Sequence, residues 1–186
     1  SNHRSNYVNN PVGFGKGYSG EGVTVMMQDD GIIGPHIDYQ GRITTSVTGN
    51  NGDHGDHVAG IIMGAGNLDP DLVGNAPGAH LLVHSSQNSE YNLVPNLVVN
   101  DSLGLTSKMY GNGNNAGYTS LSRQLDEQCN DYDALLHVFS AGNSGTSDFG
   151  YGAGPGWGNI TGGHKQGKNV LAVGNLSITD VLANGS

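Results

Sequence analysis

The sequence predicts an α/β fold, a doubly wound parallel sheet. Short apolar, β-branched runs at residues 23–27, 79–84, 136–140 and 169–174 read as strands. Segments of helical period at residues 54–64 and 120–130 alternate with them, the pattern of strand–helix–strand units. The first run closes on two carboxylates, Asp29 and Asp30. Open parallel sheets place their sites at strand carboxyl ends, so this position is the first candidate for chemistry.

Each element follows from its residues. Residues 1–16 are polar and rich in Gly and Asn, which predicts a surface arm; we place the arm at residues 1–21 and one domain at residues 22–186. Residues 23–27 are apolar without alternation, as in a strand buried on both faces. The helix expected from residue 54 carries His57, Ile61 and Gly64 on one side. Residues 79–84 and 93–100 are expected as further strands. Helical periodicity covers residues 120–130 and the adjoining 132–136, leading into the strand at 136–140. The Gly/Asn-rich stretch at 110–117 reads as a loop within an insertion at about residues 105–131.

Composition excludes several classes. A chain of 186 residues can bury a core of useful size. The net charge of −9 leaves no basic patch for phosphates, which argues against a nucleic-acid partner. Cys129 is the sole cysteine, so no disulfide can form within the chain. No apolar run is long enough to span a bilayer. Thirty-two glycines and a low charged fraction suit a loop-rich extracellular fold. Gly15-Lys-Gly-Tyr-Ser-Gly20 has the dinucleotide spacing but precedes its strand, the wrong order for a phosphate site.

Three residues then recur in one order. Asp29 ends an apolar run, His54 opens His54-Gly-Asp-His57-Val-Ala-Gly60, and Asn143 closes Val138-Phe-Ser-Ala-Gly-Asn143. A carboxylate that orients, an imidazole that moves protons and an amide that stabilises an oxyanion are the supporting groups of acyl transfer. Taken alone, Asp29 also reads as a turn cap, and Asn143 as a turn residue between glycines. The pair His54 and His57 also has helix spacing for a metal, but no Cys cluster or Glu-containing zinc motif accompanies it. Gly55 and Gly60 mark places where backbone comes close to the base.

The motifs resemble those of the subtilisin-like serine proteases, the subtilases. Asp29-Asp30-Gly31-Ile32 is similar to the family's Asp motif, and His54 to Gly60 matches its His motif with Asp56 in place of Thr. Ala76-Pro77-Gly78-Ala79 matches a family turn, and Ala141-Gly142-Asn143-Ser144-Gly145 its oxyanion motif. The resemblance implies a subtilisin-like fold truncated on the C-terminal side, with the nucleophilic Ser outside this chain, on a second polypeptide or in residues beyond it. It implies that Asp29, His54 and Asn143 are catalytic, and that His57 is a buried structural histidine.

By the same resemblance Ser102-Leu103-Gly104 is a strand end that binds extended peptide, and the loop holding Gly152 and Gly154 walls the primary specificity pocket. Asp30 matches an acid that, in the kexin-like branch, lies near a basic substrate residue; the alternative is a solvated turn carboxylate. Asp38, Asn67, Asp69 and Asp71 match a structural calcium loop, although an Asx-rich turn accounts for them equally. The chemistry requires no cofactor. The expected function is a secreted or cell-surface serine endopeptidase acting on extended polypeptide. The alternatives are a catalytically incomplete fold that binds peptides, and a metal-dependent hydrolase built on His54 and His57.

Overall fold

The computed structural model describes the chain apart from residues 1–4, 32, 50–51, 112, 115–116, 151–153, 178, 184 and 186. Its contacts divide it into two compact units, Ser1–Gly104 and Leu105–Ser186. Every strand pairing described within them is parallel, the α/β architecture expected.

In the first unit, helix α1 (Ser5–Asn9) gives the expected arm one helical turn. The arm is tied down, with Tyr18 N–H donating to Val8 O and Gly78 N–H donating to Ser19 O at 2.7 Å. Strand β1 (Thr24–Asp29) is buried along its whole length, as its unbroken apolar run requires. Strand β2 (Ile43–Thr45) and strand β3 (His80–Ser85) complete a sheet in the order β2-β3-β1. The register pairs Met27 with Val83 and Asp29 with Ser85, so β1 and β3 end together. Helix α2 (His54–Met63) buries Gly55, Ala59 and Met63, one residue per turn.

Residues 93–100 are not a strand. They form most of helix α3 (Val94–Asp101), preceded by a 3-10 segment at Asn88–Leu93. Val94, Val98 and Val99 suggested extended chain, but Pro95 in the first turn has its φ preset for a helix and lacks an N–H that would go unsatisfied there. The helix stops at Ser102, which adopts a left-handed φ of 54°.

Strand β4 (Leu103–Lys108) lies mostly in the second unit, followed by α4 (Ser120–Asp131), β5 (Leu136–Ser140) and β6 (Leu171–Val173). The pairing order is β4-β5-β6, with Lys108 beside Phe139 and Ser140 beside Val173. Thr119 and Ser122 form a reciprocal capping box at the start of α4. The helix ends at Asp131, so the periodicity expected at 132–136 is a turn entering β5. Residues 105–131, expected as an insertion, hold most of β4 and all of α4; the described residues between them, 109–111, 113–114 and 117–119, are irregular.

Candidate active site

Asp29 and Asp30 stand at the carboxyl end of β1 and act on the same helix in different ways. The Nδ1–H of His54 donates to Oδ1 of Asp29 at 2.7 Å, and Asp29 is buried. This bond selects the imidazole tautomer whose other nitrogen, Nε2, is free to accept a proton. The His54 side chain is 56% exposed, so that nitrogen is reachable. Asp29 Oδ1 also accepts the N–H of Asp30 at 2.8 Å.

Asp30 caps α2 from outside the helix. Its Oδ2 accepts the N–H of His54 at 3.1 Å and its Oδ1 the N–H of Gly55 at 2.8 Å. These are first-turn donors with no partner inside the helix, and Asp53, at the N-cap position, makes no side-chain bond to them. Burial pushes the Asp30 carboxyl up, but the amides of Gly55 and His54 outweigh it and hold the group below the usual carboxylate range. Neither sequence reading of Asp30, substrate contact or solvated turn, describes this role. Gly55 has a steric reason to be glycine: a Cβ there would stand 2.9 Å from Asp30 Oδ1 and 3.2 Å from Ile33 Cδ1. Asp56 accepts the N–H of Gly34 at 2.7 Å, pinning the chain just after β1.

In the second unit Asn143 lies just past the carboxyl end of β5, exposed on a tight turn. Asn159 builds that turn, its Oδ1 accepting the N–H of Ser144 at 2.9 Å and its Nδ2 donating to Gly185 O at 3.0 Å. Gly142 has φ 134°, and a Cβ on it would meet Asn159 Oδ1 at 2.6 Å, so this position also excludes a side chain. Asn143 lines a cleft of about 240 Å³ together with Met109–Gly111 of the post-β4 segment, Gly158–Gly162 and Lys165.

Four titratable side chains are buried around this turn. Lys165 donates to Ala141 O at 3.1 Å, and burial lowers its pKa. Lys108 lies over the Tyr110 ring, 4.2 Å from its centre; burial, aided by repulsion from Lys165, lowers its pKa to about 7. His164 packs on Phe139 with centroids 4.5 Å apart, and burial followed by the two lysines depresses it to about 3. His137 pairs with Thr106 Oγ1 at 2.7 Å, and burial lowers it to about 4.

Other expected site residues are placed differently. Leu103 and Gly104 form the start of β4, not its end, directly after Ser102 closes α3, and Leu103 is buried. The carboxyl end of the strand, Lys108, leads instead into residues that line the cleft. Gly152 lies outside the described residues; Gly154 sits at φ 81° in a turn and does not line the cleft. His57 is exposed, because the buried side of α2 runs through Gly55, Ala59 and Met63.

Asp38 accepts the N–H groups of Gly66 and Asn67, and Asp69 accepts that of Asp71 at 3.0 Å. Among the described residues no three acids, histidines or cysteines converge on a metal position, so Asp38, Asp69 and Asp71 do not form a shared carboxylate cluster. The arrangement fits a hydrogen-bonded turn.

Parallel α/β units with an acid–imidazole pair at a strand end are a framework for proton transfer in acyl chemistry. The chain belongs to the subtilase family, a family of serine peptidases, whose model matches residues 20–186. Solved structures agree on the fold. The prenylagaramide maturation protease PagA superposes with a TM-score of 0.61 at 20% identity, over 88% of this chain and 57% of that one. A psychrophilic protease, S41, gives 0.61 at 18% identity over 91% and 57%. MycP1 from the ESX-1 type VII secretion system gives 0.60 at 21% identity over 87% and 54%. This chain thus spans little more than half the length of these proteins. No helix among the described residues is long and apolar enough to cross a membrane.

Proposed function

We propose that this chain supplies the acid, the base and one oxyanion donor of a serine endopeptidase. The observation that carries the reading is the 2.7 Å bond between His54 Nδ1 and Asp29 Oδ1, with the far side of the imidazole open. In this reading the nucleophilic Ser lies outside these 186 residues. Its hydroxyl gives its proton to His54 Nε2 as the oxygen attacks the scissile carbonyl. Asp29 stays ionised and stabilises the imidazolium, and the Asn143 side chain donates to the oxyanion. His54 then returns the proton to the leaving amine. The substrate is an extended polypeptide, and a location outside the cell suits the glycine-rich, weakly charged composition.

The test is fluorophosphonate labelling of the native purified protein, followed by intact mass and peptide hydrolysis. We expect label on a serine outside residues 1–186 and loss of hydrolysis on labelling. A protein that binds extended peptides but neither labels nor cleaves them overturns the enzyme reading and leaves a peptide-binding module.

A further inference from the structure

The second unit buries a cation where a substrate side chain would arrive. This step rests on the protease reading, in which the Asn143 amide receives the oxygen of the scissile carbonyl. The side chain of the residue bearing that carbonyl is then within a few bonds of Asn143, and the cleft that Asn143 lines is the cavity open to it. Lys165 forms part of that cleft and is only 7% exposed. Its ammonium rests 3.1 Å from Ala141 O and 3.5 Å from where a Gly142 Cβ would stand, directly behind the Ala141-Gly142-Asn143 turn.

No carboxylate pairs with Lys165 among the described residues, and the residues left undescribed include no Asp or Glu. The nearby acids are committed elsewhere: Asp126 accepts from Tyr118 and Asn169, and Glu127 pairs with Arg123. The other titratable neighbours, Lys108, His164, His137 and Tyr110, bring no negative charge. A single carbonyl is poor compensation for a buried ammonium, and a second lysine adds repulsion. An incoming anion would relieve both.

We propose that Lys165 is a specificity-determining residue that selects a carboxylate side chain, Glu or Asp, at the position immediately before the bond to be cleaved. Lys165 would donate to that carboxylate while Lys108 adds field from behind.

The experiment compares quenched peptides identical except for Glu, Gln, Leu or Lys at that position, using the native protein. It also measures equilibrium binding of product peptides ending in Glu or Gln, a readout that needs no catalysis. A charge-assisted hydrogen bond predicts kcat/KM about 10–100-fold higher for Glu than for Gln, with a matching order in product affinity. The preference shrinks as pH rises past neutrality and Lys108, lowered to about 7, loses its proton. In Lys165→Met the Glu-to-Gln ratio falls to about one, whatever its absolute rate. Hydrolysis with equal rates for Glu and Gln overturns this inference while sustaining the protease reading. No hydrolysis overturns the protease reading and with it a cleavage-site role for Lys165, even when the Glu product binds more tightly. Equal product affinities in a protein without hydrolysis overturn both.

Discussion

In the first unit the carboxylates of the site meet donors that the fold supplies: Asp29 takes the His54 ring, and Asp30 takes two amides of α2. In the second unit two lysines and two histidines are buried beneath the Asn143 turn, and burial drives all four toward their neutral forms. The first arrangement positions a base and is stable because its charges are satisfied. The second is costly, because burial penalises charge inside it. Satisfied charge marks the proposed catalytic pair, and the buried Lys165 ammonium marks the proposed place for a ligand.

The contrast can be broken most forcefully at the pair. Replacing His54 by Ala, or Asp29 by Asn, should lower kcat by about 10⁴-fold or more, as the corresponding changes do in subtilisin. A loss below tenfold would remove the pair from the mechanism. Asn143→Ala should cost about 10²–10³-fold in kcat with KM little altered, the size seen when this donor is removed from subtilisin.

Next comes acid stability. His137 and His164 have folded values of about 4 and about 3, beneath the 6.5 of an unfolded His. Below pH 6.5 the unfolded chain binds protons that the folded chain refuses, so stability is full above 6.5 and falls as pH drops toward those values. Chemical denaturation at pH 7 and pH 4.5 should differ by on the order of 2 kcal/mol for each histidine, and His164→Leu should remove about half of the difference. An unchanged pH dependence in that variant would show that His164 is not held neutral.

Asp30→Asn has a smaller expected cost, about 1 kcal/mol, as for the loss of a helix cap. Because its folded value is depressed, the Asp30 contribution is present above the unfolded value of 3.8 and fades as pH falls below it. The variant's deficit, read from denaturant midpoints, should therefore be larger at pH 6 than at pH 3. Smallest of all is the effect expected from a chelator. With Asp38 committed to Gly66 and Asn67, EDTA should leave Tm within about 2 °C, a shift equivalent to less than about 1 kcal/mol. A larger drop would place calcium in this loop.

Much of the scaffold was legible because buried parallel strands write themselves as apolar runs: β1, β3 and β5 lie where the sequence put them. The 93–100 segment misled because β-branched residues also occur in helices when tertiary packing favours them, and Pro95 was the overlooked cue. Ser102-Leu103-Gly104 misled for a different reason. Three common residues matched a motif by spelling while standing at, or just before, the opposite end of the strand. The Asp30 cap spans 24 residues, beyond any local pattern, although two adjacent acids at a strand end were its visible trace. Lys108 and Lys165 gave no signal, since lysine is ordinarily a surface residue and its burial is a property of the fold.

The double grip of β1 on α2 has a consequence for how such a chain can change. Asp29 fixes the ring of His54 and Asp30 fixes its backbone, so the base travels with the strand and not with residues 46–49 further upstream. The grip reaches back to Gly52, where an added Cβ would collide with Asp30 Oδ2, but not to Gly49, where it would meet nothing, so changes upstream of that contact need not retune the imidazole. Residues 46–49 are thereby free to diversify while the geometry of the acid–imidazole pair is inherited with β1.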